Sequence, residues 1–85
     1  MKIADKMFEK LGYQKVEDSN ILVVYEKTIQ QFGYTHVIEF CHKRSGNHHV
    51  ISYQRGLNTD GFNNSIGLGI PEIKAIKRKI KELRW

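Results

Sequence analysis

The residues of this 85-residue chain best equipped for chemistry are four histidines and its one cysteine, all between positions 36 and 49. If residues 34–43 and 48–54 pair as a hairpin around Ser45 and Gly46, His42 falls opposite His49. That face also carries Ile38, Phe40, Ile51 and Tyr53, with His36 further along it, while Cys41 and His48 point the other way. Moving the turn centre to Gly46-Asn47 changes the partners and keeps the faces. Directly opposed Cβ atoms in a hairpin are about 4.5–5.5 Å apart, close enough for two imidazoles to share a transition metal. A zinc site needs three or four protein ligands, and this pair comes with no carboxylate beside it. The plain alternative is a polar hairpin end, so no metal and no cofactor is expected.

Catalytic patterns are equally thin. Cys41 with a histidine nearby is the raw material of a nucleophile and its base. Its neighbour His42, however, faces the opposite side of the same strand, and a structural cysteine is the expectation. The chain contains no glycine-rich phosphate loop, no His-Glu-x-x-His and no Gly-x-Ser-x-Gly. Asp60-Gly61 among Asn58, Asn63 and Asn64 has calcium-loop composition but lacks the closing bidentate glutamate, and reads as a flexible turn. No catalytic residue is assigned, and the chain is not expected to be an enzyme.

Charge is the more informative feature. The net charge is +5, and residues 71–85 account for +4 of it, with six basic residues against Glu72 and Glu82. Lys74, Lys77, Arg78, Lys81 and Arg84 lie off the apolar stripe of a helix and make a broad cationic face. Three readings stay open for it: a solvated face, a contact for nucleic-acid phosphates, or a contact for an acidic protein. Cations near a helix C-terminus are also favoured by the helix dipole, by about 0.3–1 kcal/mol each, which explains part of the pattern without any partner. Against nucleic acid stands the absence of a recognised binding motif, although Tyr34 and Trp85 are possible stacking residues.

The elements that must position these residues follow from periodicity. Ile3, Met7 and Leu11, widened by Ala4 and Phe8, predict a helix over residues 2–11 that ends at Gly12. Its wet side takes Lys2, Asp5, Lys6, Glu9 and Lys10. Residues 13–17 and 21–27 alternate like strands around the turn tripeptide Asp18-Ser19-Asn20. The hairpin described above follows, then loop-like residues 55–65, then residues 66–70 as a weak edge strand or extended chain. Pro71 suits the first turn of a second helix, whose Ile73, Ile76, Ile80 and Leu83 should be buried with Phe8, Leu11, Phe40 and Ile51. The expected fold is α+β: an antiparallel sheet of about four strands in two hairpins, with N- and C-terminal helices packed on one face.

All 85 residues are expected to form one domain, since a chain of this length has material for a single modest core. A lone cysteine rules out an intrachain disulfide, and a small domain without disulfide staples suits a reducing compartment. The first ten residues lack the apolar run of a signal peptide, and the longest apolar run, 21–25, is far short of a membrane span. A cytoplasmic protein is the expectation.

Residues 4–13, Ala-Asp-Lys-Met-Phe-Glu-Lys-Leu-Gly-Tyr, resemble the opening of small accessory proteins encoded by phages and prophages of Gram-positive bacteria. The closing segment from Pro71 to Trp85 is similar to the amphipathic helix that ends them, except that Leu83-Arg84-Trp85 stands where they tend to have Leu-Gly-Trp. The resemblance covers about a third of the chain and implies a setting rather than a chemistry. Within that setting, the expected function is that of a small non-enzymatic binding protein acting on a host or phage macromolecule in the bacterial cytoplasm. Inhibition of a host nucleic-acid-processing or defence complex is one concrete form. A direct nucleic-acid binder using the basic helix is the alternative, and no membrane partner is expected.

Overall fold

The computed structural model describes residues 2–43, 46–56 and 67–85. Helix α1 (Ile3–Lys10) leads into strands β1 (Gln14–Asp18), β2 (Leu22–Ile29), β3 (Tyr34–Cys41) and β4 (His49–Gly56), and helix α2 (Ile70–Leu83) follows. A 3-10 turn over Gln30–Phe32 joins β2 to β3. The strands form one antiparallel sheet in the order β1-β2-β3-β4. Both helices cover the same face, so the α+β architecture read from periodicity is the architecture observed. No described helix is long and apolar enough to cross a membrane. The readings made for residues 57–66, including the calcium-loop comparison, lie outside the described residues. Gly67 to Gly69 form no strand, Gly69 itself is extended, and Ile70 already begins α2.

The core is built where sheet alternation and helix stripe meet. Val23 and Tyr25 of β2 and Ile38 and Phe40 of β3 point to the helices and bury against Phe8, Tyr13 and Ala75. Phe8 stacks on Tyr25 with ring centroids 4.0 Å apart and meets Phe40 and Tyr13 edge-on, arrangements favoured by the ring quadrupole.

Both helices stop by the same device. After α1, the Gly12 amide donates to the Glu9 carbonyl and the Tyr13 amide to the Phe8 carbonyl, with Gly12 at φ +95°. After α2, Arg84 donates to Lys81 and Trp85 to Ile80, with Arg84 at φ +61°. Each pair of bonds satisfies carbonyls that the helix leaves open, and each requires a left-handed residue at the hinge. The aromatic that follows packs back on the core in both cases.

Two expectations about facing fail. Phe40 pairs with Val50 and Ile38 with Ser52, one residue away from the expected register. A one-residue slip turns every side chain of a strand over. Ile51 and Tyr53 therefore lie on the opposite face from Phe40, and Ile51 is 40% exposed. The reason lies at the hairpin end, where the His42 and His48 rings stack at 4.4 Å and His48 stacks on Trp85 at 4.4 Å. Helix α2 is also turned from the expected isoleucine stripe. Ala75 and Lys79 point most directly inward, Ile76, Ile80 and Leu83 are partly buried, and Ile73 is 45% exposed.

Candidate functional site

The rotation of α2 divides its cations into two groups. Lys79 goes inside, 5% exposed, with its Nζ 3.8 Å from the Asp5 carboxylate and 5.9 Å from the centroid of the Tyr25 ring. Arg78 is half-buried and donates through Nε to Glu82 at 3.2 Å, while the same Glu82 oxygen accepts the Ala4 amide at 3.0 Å. Lys74, Lys77, Lys81 and Arg84 stay exposed, and among the described residues none of them forms an ion pair. Their spacing places them along one face, over about 15 Å at 1.5 Å per residue. Of the five residues marked by sequence, four form this stripe and Arg78 is occupied within the fold.

Asp5, expected on the wet side of α1, is instead partly buried and gathers polar contacts from β1, β2 and α2. Tyr25 donates its hydroxyl to Asp5, Lys15 approaches at 2.9 Å and Lys79 lies close by. Burial works against a charge on Asp5. The hydrogen bonds from Tyr25 and Lys15 and the charges of Lys79 and Lys15 together outweigh it, and hold the carboxyl below its ordinary range. A bulge at Val16 makes this possible by bringing Lys15 and Asp18 to the helix-covered face, where they bridge at 2.9 Å. Burial, aided by Glu72, pushes the Tyr13 hydroxyl up to about 12, and that hydroxyl has no hydrogen-bond partner among the described residues.

The helices run antiparallel, and this extends the cationic surface beyond α2. The start of α1 is tied to the end of α2 through Ala4–Glu82 and Asp5–Lys79. At the other end Met7, Lys10 and Leu11 of α1 meet Ile70, Pro71 and Lys74 of α2 around a shared groove. Lys6 and Lys10 are exposed on α1 at i, i+4. The outer surface of the helical layer therefore carries two rows of lysine, one per helix. Sequence reading attends to one helix at a time and sees only the longer row. The signal for the second was the run Lys2, Lys6, Lys10 opposite the apolar stripe.

The histidine cluster also differs from expectation. His42 is stacked with His48, and His49 pairs instead with Cys41 across the strands. Stacked imidazoles aim their ring nitrogens side by side, in parallel planes, whereas two zinc ligands must converge on one ion at about 2.0–2.1 Å. Among the described residues no three His, Cys, Asp or Glu side chains gather as a metal site. At Cys41, burial and then the nearby Glu39 push the thiol pKa up. A catalytic cysteine needs the opposite shift. Set against known protein families, curated proteins and solved structures, the chain finds no significant match in any of the three.

Proposed function

We propose that this chain is a non-enzymatic binding protein, an accessory protein of a phage or prophage, that engages an acidic protein surface through the outer side of its two helices. The carrying observation is the division of the α2 cations. Lys79 and Arg78 are neutralised within the fold, while Lys74, Lys77, Lys81 and Arg84 are left without a carboxylate among the described residues. Dipole stabilisation explains cations in the last turn of a helix and fades beyond it. Lys74 and Lys77 lie outside that turn, so a partner is the better account of the full stripe. Exposed Ile70 and Ile73 on the same helix favour a protein over nucleic acid, since a phosphate backbone offers such side chains nothing. A host nucleic-acid-processing or defence complex is one concrete target, engaged at an acidic patch away from its own basic nucleic-acid path.

The test is capture from nuclease-treated lysate of a Gram-positive host, comparing the parent with Lys77→Glu plus Lys81→Glu. The expected outcome is a nuclease-resistant protein partner retained by the parent and lost by the double variant. Direct DNA or RNA titration separates the nucleic-acid alternative. Three to four phosphate contacts give a salt slope near −0.9 per contact, a loss of roughly 40- to 150-fold between 50 and 200 mM salt. Tight nucleic-acid binding that survives 200 mM salt would displace the protein-partner reading.

A further inference from the structure

The two lysine rows are separated at one end of the helical layer by a groove of about 390 Å³, lined by Met7, Leu11, Ile70 and Pro71 and flanked by Lys10 and Lys74. Its size falls within the roughly 300–1,000 Å³ of ordinary ligand clefts. Its composition is unusual for the surface of so basic a layer: the walls are apolar and the two rims are cationic, one from each helix. Folding leaves large apolar surface open in its wall, with Ile70 63% exposed. The antiparallel pairing creates the groove, because it sets the last turn of α1 against the first turn of α2.

We infer that this groove is the anchor site for the partner, and that its occupant is a protein segment presenting a large apolar side chain flanked by carboxylates. The inference rests on the protein-partner reading above and adds where the partner docks and with what side chains. An apolar side chain inserted between Met7, Leu11, Ile70 and Pro71 buries surface that folding leaves wet. Carboxylates on either side of it then reach Lys10 on one rim and Lys74 on the other. Further acidic residues along the segment meet Lys6 on α1, or Lys77 and Lys81 on α2. Interfaces gain most of their affinity from one such buried anchor, with the surrounding charges setting register and encounter rate.

The probe is a short acidic peptide with leucine at every third position, and its control is the same peptide with serine for leucine. Binding is followed through the amide and methyl NMR signals of the intact chain. Expected are shifts of Met7, Leu11 and Ile70 methyls with the leucine peptide and none at those methyls with the serine peptide. Ile70→Ser and Lys10→Glu, both at exposed positions, should each weaken the leucine peptide by about tenfold or more. Equal binding of both peptides, with shifts only along Lys77 and Lys81, overturns the groove and leaves the cationic-face reading standing. No shift from either peptide overturns both.

Discussion

The ends of the two helices use one terminator with two different residues at its hinge. Gly12 closes α1 and Arg84 closes α2, each with a positive φ, the same pair of backbone bonds, and an aromatic packed behind it. A left-handed conformation is free for glycine and unfavourable by roughly 1–2 kcal/mol for a residue with a Cβ. Arg84 is the only non-glycine residue at positive φ among the described residues. It also ends the exposed cationic stripe, whereas Gly12 sits behind the Lys27 stem, where a Cβ would lie 3.4 Å from the Lys27 Cδ. One end takes the residue that its backbone conformation favours; the other keeps a charge at some expense of stability.

The aromatic behind each hinge should give the largest effects. Tyr13 is 2% exposed and touches Phe8, while Trp85 is partly buried against Phe40 and His48. Tyr13→Ala should cost about 3–5 kcal/mol and Trp85→Ala less, within the range for large aromatic truncations. Urea melts measure both. Equal losses would show that the ring stack at α2 anchors its end as firmly as the core anchors α1.

Asp5 tests what lies between those ends. Asp5→Ala leaves Lys79 buried with no carboxylate and should cost about 3 kcal/mol. The pH dependence has a definite sign. A carboxyl held lower in the fold than in the open chain contributes stability that is present above its unfolded pKa, about 3.9, and is lost as pH falls through the folded value. His36 acts in the same direction at higher pH. Burial, with Lys27 beside it, lowers its pKa, so its contribution begins to fade as pH drops below about 6.5. Melting temperatures of Asp5→Asn and His36→Gln across pH should flatten the two windows separately. An Asp5→Asn variant with an unchanged acid limb would remove Asp5 from the interior network.

What sequence could show follows from these same residues. The element order and the shared helical face were legible, because the stripe of Ile3, Met7 and Leu11 and the alternation around Tyr25 and Phe40 are each set by local period. The stop at Gly12 was legible from residue type. The facing of β4 was not, because it depends on how His42, His48 and Trp85 stack, and Trp85 arrives from another element. The burial of Lys79 was hidden for a related reason: its partner Asp5 lies more than seventy residues earlier and looks like one more charge on a wet face. Four of the five marked cations proved exposed, since an unpaired surface charge needs no distant partner to be recognised. The lysine row of α1 gained meaning only when the antiparallel pairing set it beside that of α2.

The hinge residues themselves should give the smallest effects, and with opposite signs. Gly12→Ala forces a Cβ into φ +95°, in ordinary contact with the Lys27 stem, and the backbone strain should cost about 1–2 kcal/mol. Arg84→Gly relieves the same conformation and should stabilise the fold by up to about 1 kcal/mol, the open chain's greater freedom offsetting part of the gain. The substitution also removes the last charge of the stripe. A residue chosen only as a terminator would therefore be improved by the change in every assay. A residue kept for a partner would gain melting temperature and lose affinity together. Measuring both on the same variant, with Arg84→Lys as the charge-preserving control, separates the two. The expected result is that Arg84→Lys retains partner capture and the parent's stability, while Arg84→Gly melts higher and captures less. Undiminished capture by Arg84→Gly would take Arg84 out of the binding face and leave Lys74, Lys77 and Lys81 to carry it.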